Sequence, residues 1–311
     1  MNFVAAVAGW MSLDVAGADD LTEARLQAHW AAQAVAAVGE AWVPPEPDFS
    51  HTSMSWDRAR GMLLGRPLAG SGLRAGLRFA DLGLVILNAR HALQAELELA
   101  GRTLAEGVGW FEARFKDLMG SSLRSSLELP RYEMPDHPAA HGEPFSAPIS
   151  RSLVELGRWY GNAGSLMEVV AAQVPFASPV RCWPHHFDIA TLMSLDLNET
   201  DASAEQRYIG FGLSPGDATI GQPYFYLNPW PSTGLTDFPG LEGGGLWYRE
   251  GWTGAILPAD RLTEDGRHQA EQVLAYLSSA LAAERKMLER PGDDFWPLLT
   301  VDGVVKPADA E

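Results

Sequence analysis

Val43-Pro44 and Val174-Pro175 stand 131 positions apart, and Trp56-Asp57 and Phe187-Asp188 stand at the same offset. Punctuation repeated at one long interval is the mark of a structural unit used twice. Each half reads in the same order: helix, proline, strands, helix. The expected fold is therefore α+β, with two similar halves, each a mainly antiparallel sheet flanked by helices. The boundaries fall at 1–129 and 150–311. Pro130, Pro135, Pro138, Pro144 and Pro148 crowd the segment between them, too many prolines for a helix or a ladder, so 130–149 reads as a linker. At 311 residues and 46% hydrophobic, the chain can bury a sizeable core.

Helix starts are marked by capping patterns. Asp20-Leu-Thr-Glu23, Thr103-Leu-Ala-Glu106 and Ser152-Leu-Val-Glu155 each place an acceptor three residues before a glutamate. In a capping box the first side chain takes the N3 amide and the glutamate reaches back. These open helices that end near Gly39, at Gly120 and before Pro175. A fourth helix starts near Thr263 and halts at Pro291-Gly292. Strand-like runs cover Thr52–Leu64, Leu73–Phe79, Leu82–Leu87 and Leu93–Leu99 in the first half, and a second strand zone spans Cys182–Leu257.

Charge and composition exclude several functions. The net charge is −17, from 40 acidic and 23 basic residues, which opposes binding to nucleic acid or to anionic lipid. A single cysteine, Cys182, rules out an intramolecular disulfide and any paired-cysteine metal site. No stretch approaches the ~20 apolar residues of a membrane span. The apolar start has no basic residue before Arg25, so it does not read as a secretory signal. The expected location is a bacterial-type cytoplasm.

The densest chemistry lies at Trp183-Pro-His-His-Phe-Asp188. Read as a strand, alternation puts His186 and Asp188 on one face and Trp183, His185 and Phe187 on the other. Three uses fit: a structural His-Asp pair, a ligand-contacting or acid–base pair, or two ligands of a metal whose third comes from afar. Asp57 matches Asp188 in the first half, whereas Met54-Ser55 match His185-His186, so the histidines are the better functional candidates. Gly210-Phe-Gly-Leu-Ser-Pro-Gly-Asp217 reads first as a turn, not as a phosphate cradle. Twelve of the chain's 30 aromatic residues fall between Trp183 and Trp252, which marks the second half as the place for a pocket. In Pro223–Asn228, alternation sends Tyr224 and Tyr226 one way and Phe225 and Leu227 the other.

The run from Ser178-Pro-Val to Phe187-Asp188, with Gly210–Asp217 and Gly221-Gln-Pro-Tyr-Phe-Tyr-Leu-Asn-Pro-Trp-Pro231, resembles the bacterial domain-of-unknown-function 5996 family. The resemblance implies the same α+β order and carries no activity.

The leading expectation is a small-molecule-binding protein or enzyme with a cleft at the Trp183–Asp188 strand. His185, His186 and Asp188 would form its catalytic group, and Trp183, Tyr224, Tyr226, Trp230 and Asp217 its ligand-binding walls. The alternative is a non-catalytic structural or interaction protein in which the same residues are core. Exposed histidines beside a cavity favour the first, and buried ones the second. Neither a cofactor nor an oligomeric state is named by the residues.

Overall fold

The computed structural model describes residues 3–120, 123, 125–146, 149–196, 206–290 and 293. Its first half runs α1 (Phe3–Ala8), α2 (Thr22–Trp42), five strands and α3 (Leu104–Met119). The strands are β1 (Ser55–Asp57), β2 (Met62–Leu64), β3 (Arg74–Arg78), β4 (Gly83–Leu87) and β5 (Leu93–Glu98), in an antiparallel meander of that order. The second half repeats the plan with α4 (Ser150–Gln173), six strands and α5 (Gly266–Leu288). Its strands are β6 (Arg181–Trp183), β7 (Asp188–Ser194), β8 (Tyr208–Ser214), β9 (Tyr224–Trp230), β10 (Leu246–Tyr248) and β11 (Gly254–Pro258), ordered β10-β11-β9-β8-β7-β6. The fold is α+β with two similar antiparallel halves. Among the described residues no helix is long and apolar enough to cross a membrane.

The two sheets meet edge to edge. Met54, beside β1, and Cys182 of β6 exchange both backbone hydrogen bonds, at 2.9 and 2.7 Å. α4 sits over this seam, touching α2, the turn Phe79–Asp81, β7 and β8. One hydrophobic core consequently runs through both halves. α2 is buried on most of its surface, and its core side chains are mainly Ala24, Ala28, Ala31, Ala32, Ala34 and Ala37. Small side chains let neighbours approach a helix from several sides, which suits a central element. Crossing that alanine surface is a row of polar residues spaced by four, Arg25, His29 and Gln33, all buried. They lie on one helical face.

Several local expectations are corrected. Only Thr103 and Glu106 form the expected capping box. α2 is entered through a 3-10 turn, Ala18–Leu21, so its N-cap is Leu21; Glu23 binds Gln27 and His137 instead. α4 starts at Ser150, ahead of Ser152, and Glu155 accepts from the Asp14 amide and Arg158. α5 is capped by Asp265 rather than Thr263. The run Thr52–Leu64 is a hairpin, β1 and β2, not one strand. Asp57 ends the first strand of its hairpin, whereas Asp188 opens the second strand of its own. The common offset holds at the helix ends, where Val43 and Val174 are the C-caps of α2 and α4, but it slips before the hairpins.

The proline segment joins the halves but is not loose. It contains a 3-10 turn at Pro138–His141 and an isolated bridge between Phe145 and Ala100, with Phe145 fully buried. Trp30 of α2 donates to the Pro135 carbonyl at 3.0 Å, and the Ser146 amide donates to Gln27 at 2.9 Å. The segment is a strap packed along α2.

Candidate functional site

The hairpin that joins β6 to β7 organises the site. Trp183 pairs with Asp188 and closes a four-residue turn, Pro184–Phe187. The Phe187 amide donates to the Trp183 carbonyl at 2.7 Å, and Phe187 adopts a left-handed backbone with φ 56°. That conformation costs an L-residue about 1–2 kcal/mol. The ring offsets it. Phe187 is buried against His29 (centroids 4.9 Å apart, planes 8°), Tyr160 and Phe79, which is worth about 2–3 kcal/mol. Tyr160 also donates its hydroxyl to the Phe187 carbonyl.

This turn corrects the expected facing. His186 and Asp188 do not alternate along one strand, because the chain reverses between them. Trp183 and Asp188, expected on opposite faces, are cross-strand partners on the same face. His185 and His186 occupy the turn, both exposed, with ring centroids 4.3 Å apart.

The polar row of α2 holds the turn in place. His29 Nε2 and Gln33 Nε2 both lie 2.9 Å from the Pro184 carbonyl. A carbonyl only accepts, so the neutral His29 carries its proton on Nε2. Burial, ahead of the nearby charges of Arg25, His186 and His185, lowers its pKa to about 4. Gln33 Oε1 accepts the hydroxyl of Tyr132, a strap residue, so one amide ties strap and hairpin together. Arg25 donates to the Gly216 carbonyl at 2.6 Å and thereby fixes the β8–β9 turn.

Between strap and hairpin lies a cleft of about 720 Å³. Trp183 and His185 line it from the hairpin, Pro130, Arg131 and Tyr132 from the strap with Leu129 just before it, Glu40 from the end of α2, and Asp48, Phe49 and Thr52 from the chain that follows α2. The His185 ring meets Tyr132 at 5.9 Å and 66°, and Trp183 at 6.2 Å and 70°. Partial desolvation against these walls, then the neighbouring His186, lowers the His185 pKa below its ordinary value. A neutral imidazole at neutral pH can accept or donate a proton.

The remaining candidates lie elsewhere. The two rows of β9 point opposite ways as expected: Phe225 and Leu227 face the core, and Tyr224 and Tyr226 face the other side of the sheet. There Tyr226 donates to Asp188 at 2.5 Å, and Tyr224 donates to Asp217 at 2.6 Å. Asp188 Oδ1 is closed off from solvent without a hydrogen-bond partner. Burial raises the Asp188 pKa against the opposing Tyr226 bond and His186. Asp217 also accepts the Thr219 and Ile220 amides, so Gly210–Asp217 is a strand followed by a turn. Trp230 is 54% exposed at the far end of β9, about 20 Å along the strand from Tyr224, and belongs to no common site with the others. Among the described residues, no group of three or more His, Cys, Asp or Glu converges as a metal ligand set.

Sequence reasoning missed Phe49 and Tyr132 as cleft walls, and Arg25, His29 and Gln33 as the support beneath. The spacing of those three polar residues on an alanine-rich helix was the available signal. No family model, no curated protein and no solved structure matches this chain.

Proposed function

We propose that this chain is a small-molecule-binding protein of the cytoplasm whose ligand occupies the cleft between strap and hairpin. The supporting observation is that two residues of the Trp183–Asp188 motif, Trp183 and His185, line a cavity with Tyr132 and Phe49. Aromatic walls edged by polar and charged groups suit a flat organic molecule. The cavity's volume is within the ordinary range for such ligands. His185, kept neutral, is the group that would bond the ligand or exchange a proton with it. Asp188, Tyr226, Tyr224 and Asp217 are assigned to the framework, since each carboxylate is engaged by a tyrosine. His186, exposed beside His185, tunes its neighbour's charge.

The test is calorimetric titration with 2-phenylethanol, a neutral aromatic probe. Trp183→Ala should weaken binding about thirtyfold, the effect of removing a central aromatic anchor. Trp230→Ala, on the same sheet but outside the cleft, should leave the affinity unchanged. Equal loss in both variants, or no loss in either, would contradict the cleft.

A further inference from the structure

We infer that the cleft selects a flat organic cation, such as an arylalkylamine, over neutral or anionic molecules of the same shape; this rests on the cleft being the binding site. Three carboxylates line the cavity, Glu40, Asp48 and Glu128, against one lining guanidinium, Arg131. That arginine stands at the rim with its side chain 91% exposed, and it meets Glu128 only at 3.7 Å. So loose and hydrated a pair contributes little, and an incoming ammonium can replace it. Asp48 is likewise 60% exposed, with Arg181 at 3.5 Å, and Glu40 is 49% exposed with His51 at 3.2 Å behind it. The carboxylates therefore stay about half exposed or more, although Asp48 Oδ1 also accepts the Ser50 amide at 3.0 Å.

The walls point the same way. Trp183, Tyr132 and Phe49 present ring surface, whose negative faces attract a cation. His185, neutral at pH 7, can accept an N–H bond from an ammonium, whereas a protonated imidazole would repel it. A carboxylate or phosphate ligand would find Arg131, with Arg181 held by Asp48, opposite three like charges. The chain's net charge of −17 adds a long-range attraction for cations and repulsion for anions.

The test compares three probes with the same ring: 2-phenylethylamine, 2-phenylethanol and 3-phenylpropanoate, each titrated calorimetrically at low and high salt. The amine should bind about tenfold tighter than the alcohol, with the carboxylate weakest. That advantage should shrink at high salt, because exposed charges are screened. Asp48→Asn combined with Glu128→Gln should bring amine and alcohol to similar affinities by weakening the amine about tenfold more than the alcohol; both residues are surface-exposed, so folding is spared. An alcohol or carboxylate that binds as tightly as the amine overturns the cation preference. If that binding is still lost in Trp183→Ala, the cleft itself stands. Failure of all three probes to bind overturns both.

Discussion

Gly212→Ala should destabilise the protein by about 2–3 kcal/mol and detach Tyr226 from Asp188. A β-carbon at position 212 would overlap Tyr226 Cζ and Oη, because Tyr226 of β9 is the cross-strand partner of this glycine of β8 and its ring passes over it on the way to Asp188. The ring cannot simply swing aside. Its hydroxyl is bonded to Asp188 at 2.5 Å, and its other side meets Trp252 edge-on at 6.2 Å. Displacing it would leave Asp188, already lacking a partner on Oδ1, without its donor on Oδ2 as well. A double-mutant cycle by urea unfolding isolates this cause. In a Tyr226→Ala background there is no ring to collide with, so Gly212→Ala should cost less than about 0.5 kcal/mol. Retention of the full cost there would mean that the glycine serves the backbone and not the tyrosine.

The second large effect is a pH dependence centred on His29. Its folded pKa of about 4 lies below the ordinary value of 6.5, because burial against Phe187 disfavours the imidazolium by more than the Pro184 carbonyl favours it. Between these values the unfolded chain binds a proton that the folded chain does not. Stability therefore rises with pH through this window and is lost as pH falls from about 6.5 to about 4. The gap corresponds to roughly 3 kcal/mol. Asp188 and Glu284 act in the opposite sense. Burial raises both carboxyls, so the folded state keeps protons that the unfolded state releases, and their contribution declines as pH rises. The imidazole is separated from them by comparison with His29→Gln, whose amide can still donate to Pro184. Chemical denaturation at pH 7 and pH 4.5 should show the wild type losing about 2–3 kcal/mol more than the variant. Equal losses would show that His29 is not the buried neutral group that holds the hairpin.

Both predictions concern the framework around the hairpin, and that framework was the least legible part of the sequence. The order of helices and sheets was readable, because apolar runs and prolines recur in each half. The hairpin was not. Pro184-His-His-Phe187 sits among strand formers, and alternation through it is a reasonable expectation. What reverses the chain is Phe187 in a left-handed backbone, a conformation that no aromatic propensity signals. Tertiary packing of its ring on α2 and α4 decides it. The same holds for two failed caps. Glu23 and Glu155 stand at the correct spacing, yet partners distant in sequence, His137 and the Asp14 amide, take their carboxylates.

The site was legible by halves. Trp183 and His185 stand out in the sequence because aromatic and imidazole side chains cluster there, and both reach the cleft. Tyr224, Tyr226 and Asp217 stood out for the same reason, but pairing gives them to each other and to Asp188. Phe49 and Tyr132 reach the cleft from positions far away in sequence, on segments that local patterns mark only as proline-rich. Proline count excludes helix there without saying that Tyr132 will be anchored by Gln33, whose amide also holds the hairpin.

Crystallographic soaking with a library of small aromatic amines and alcohols puts the central claim to its most direct test. The expected result is fragment density between Trp183, Tyr132 and His185, with amines the more frequent occupants. Fragments bound reproducibly at other surfaces, with the cleft empty in every crystal, would contradict it.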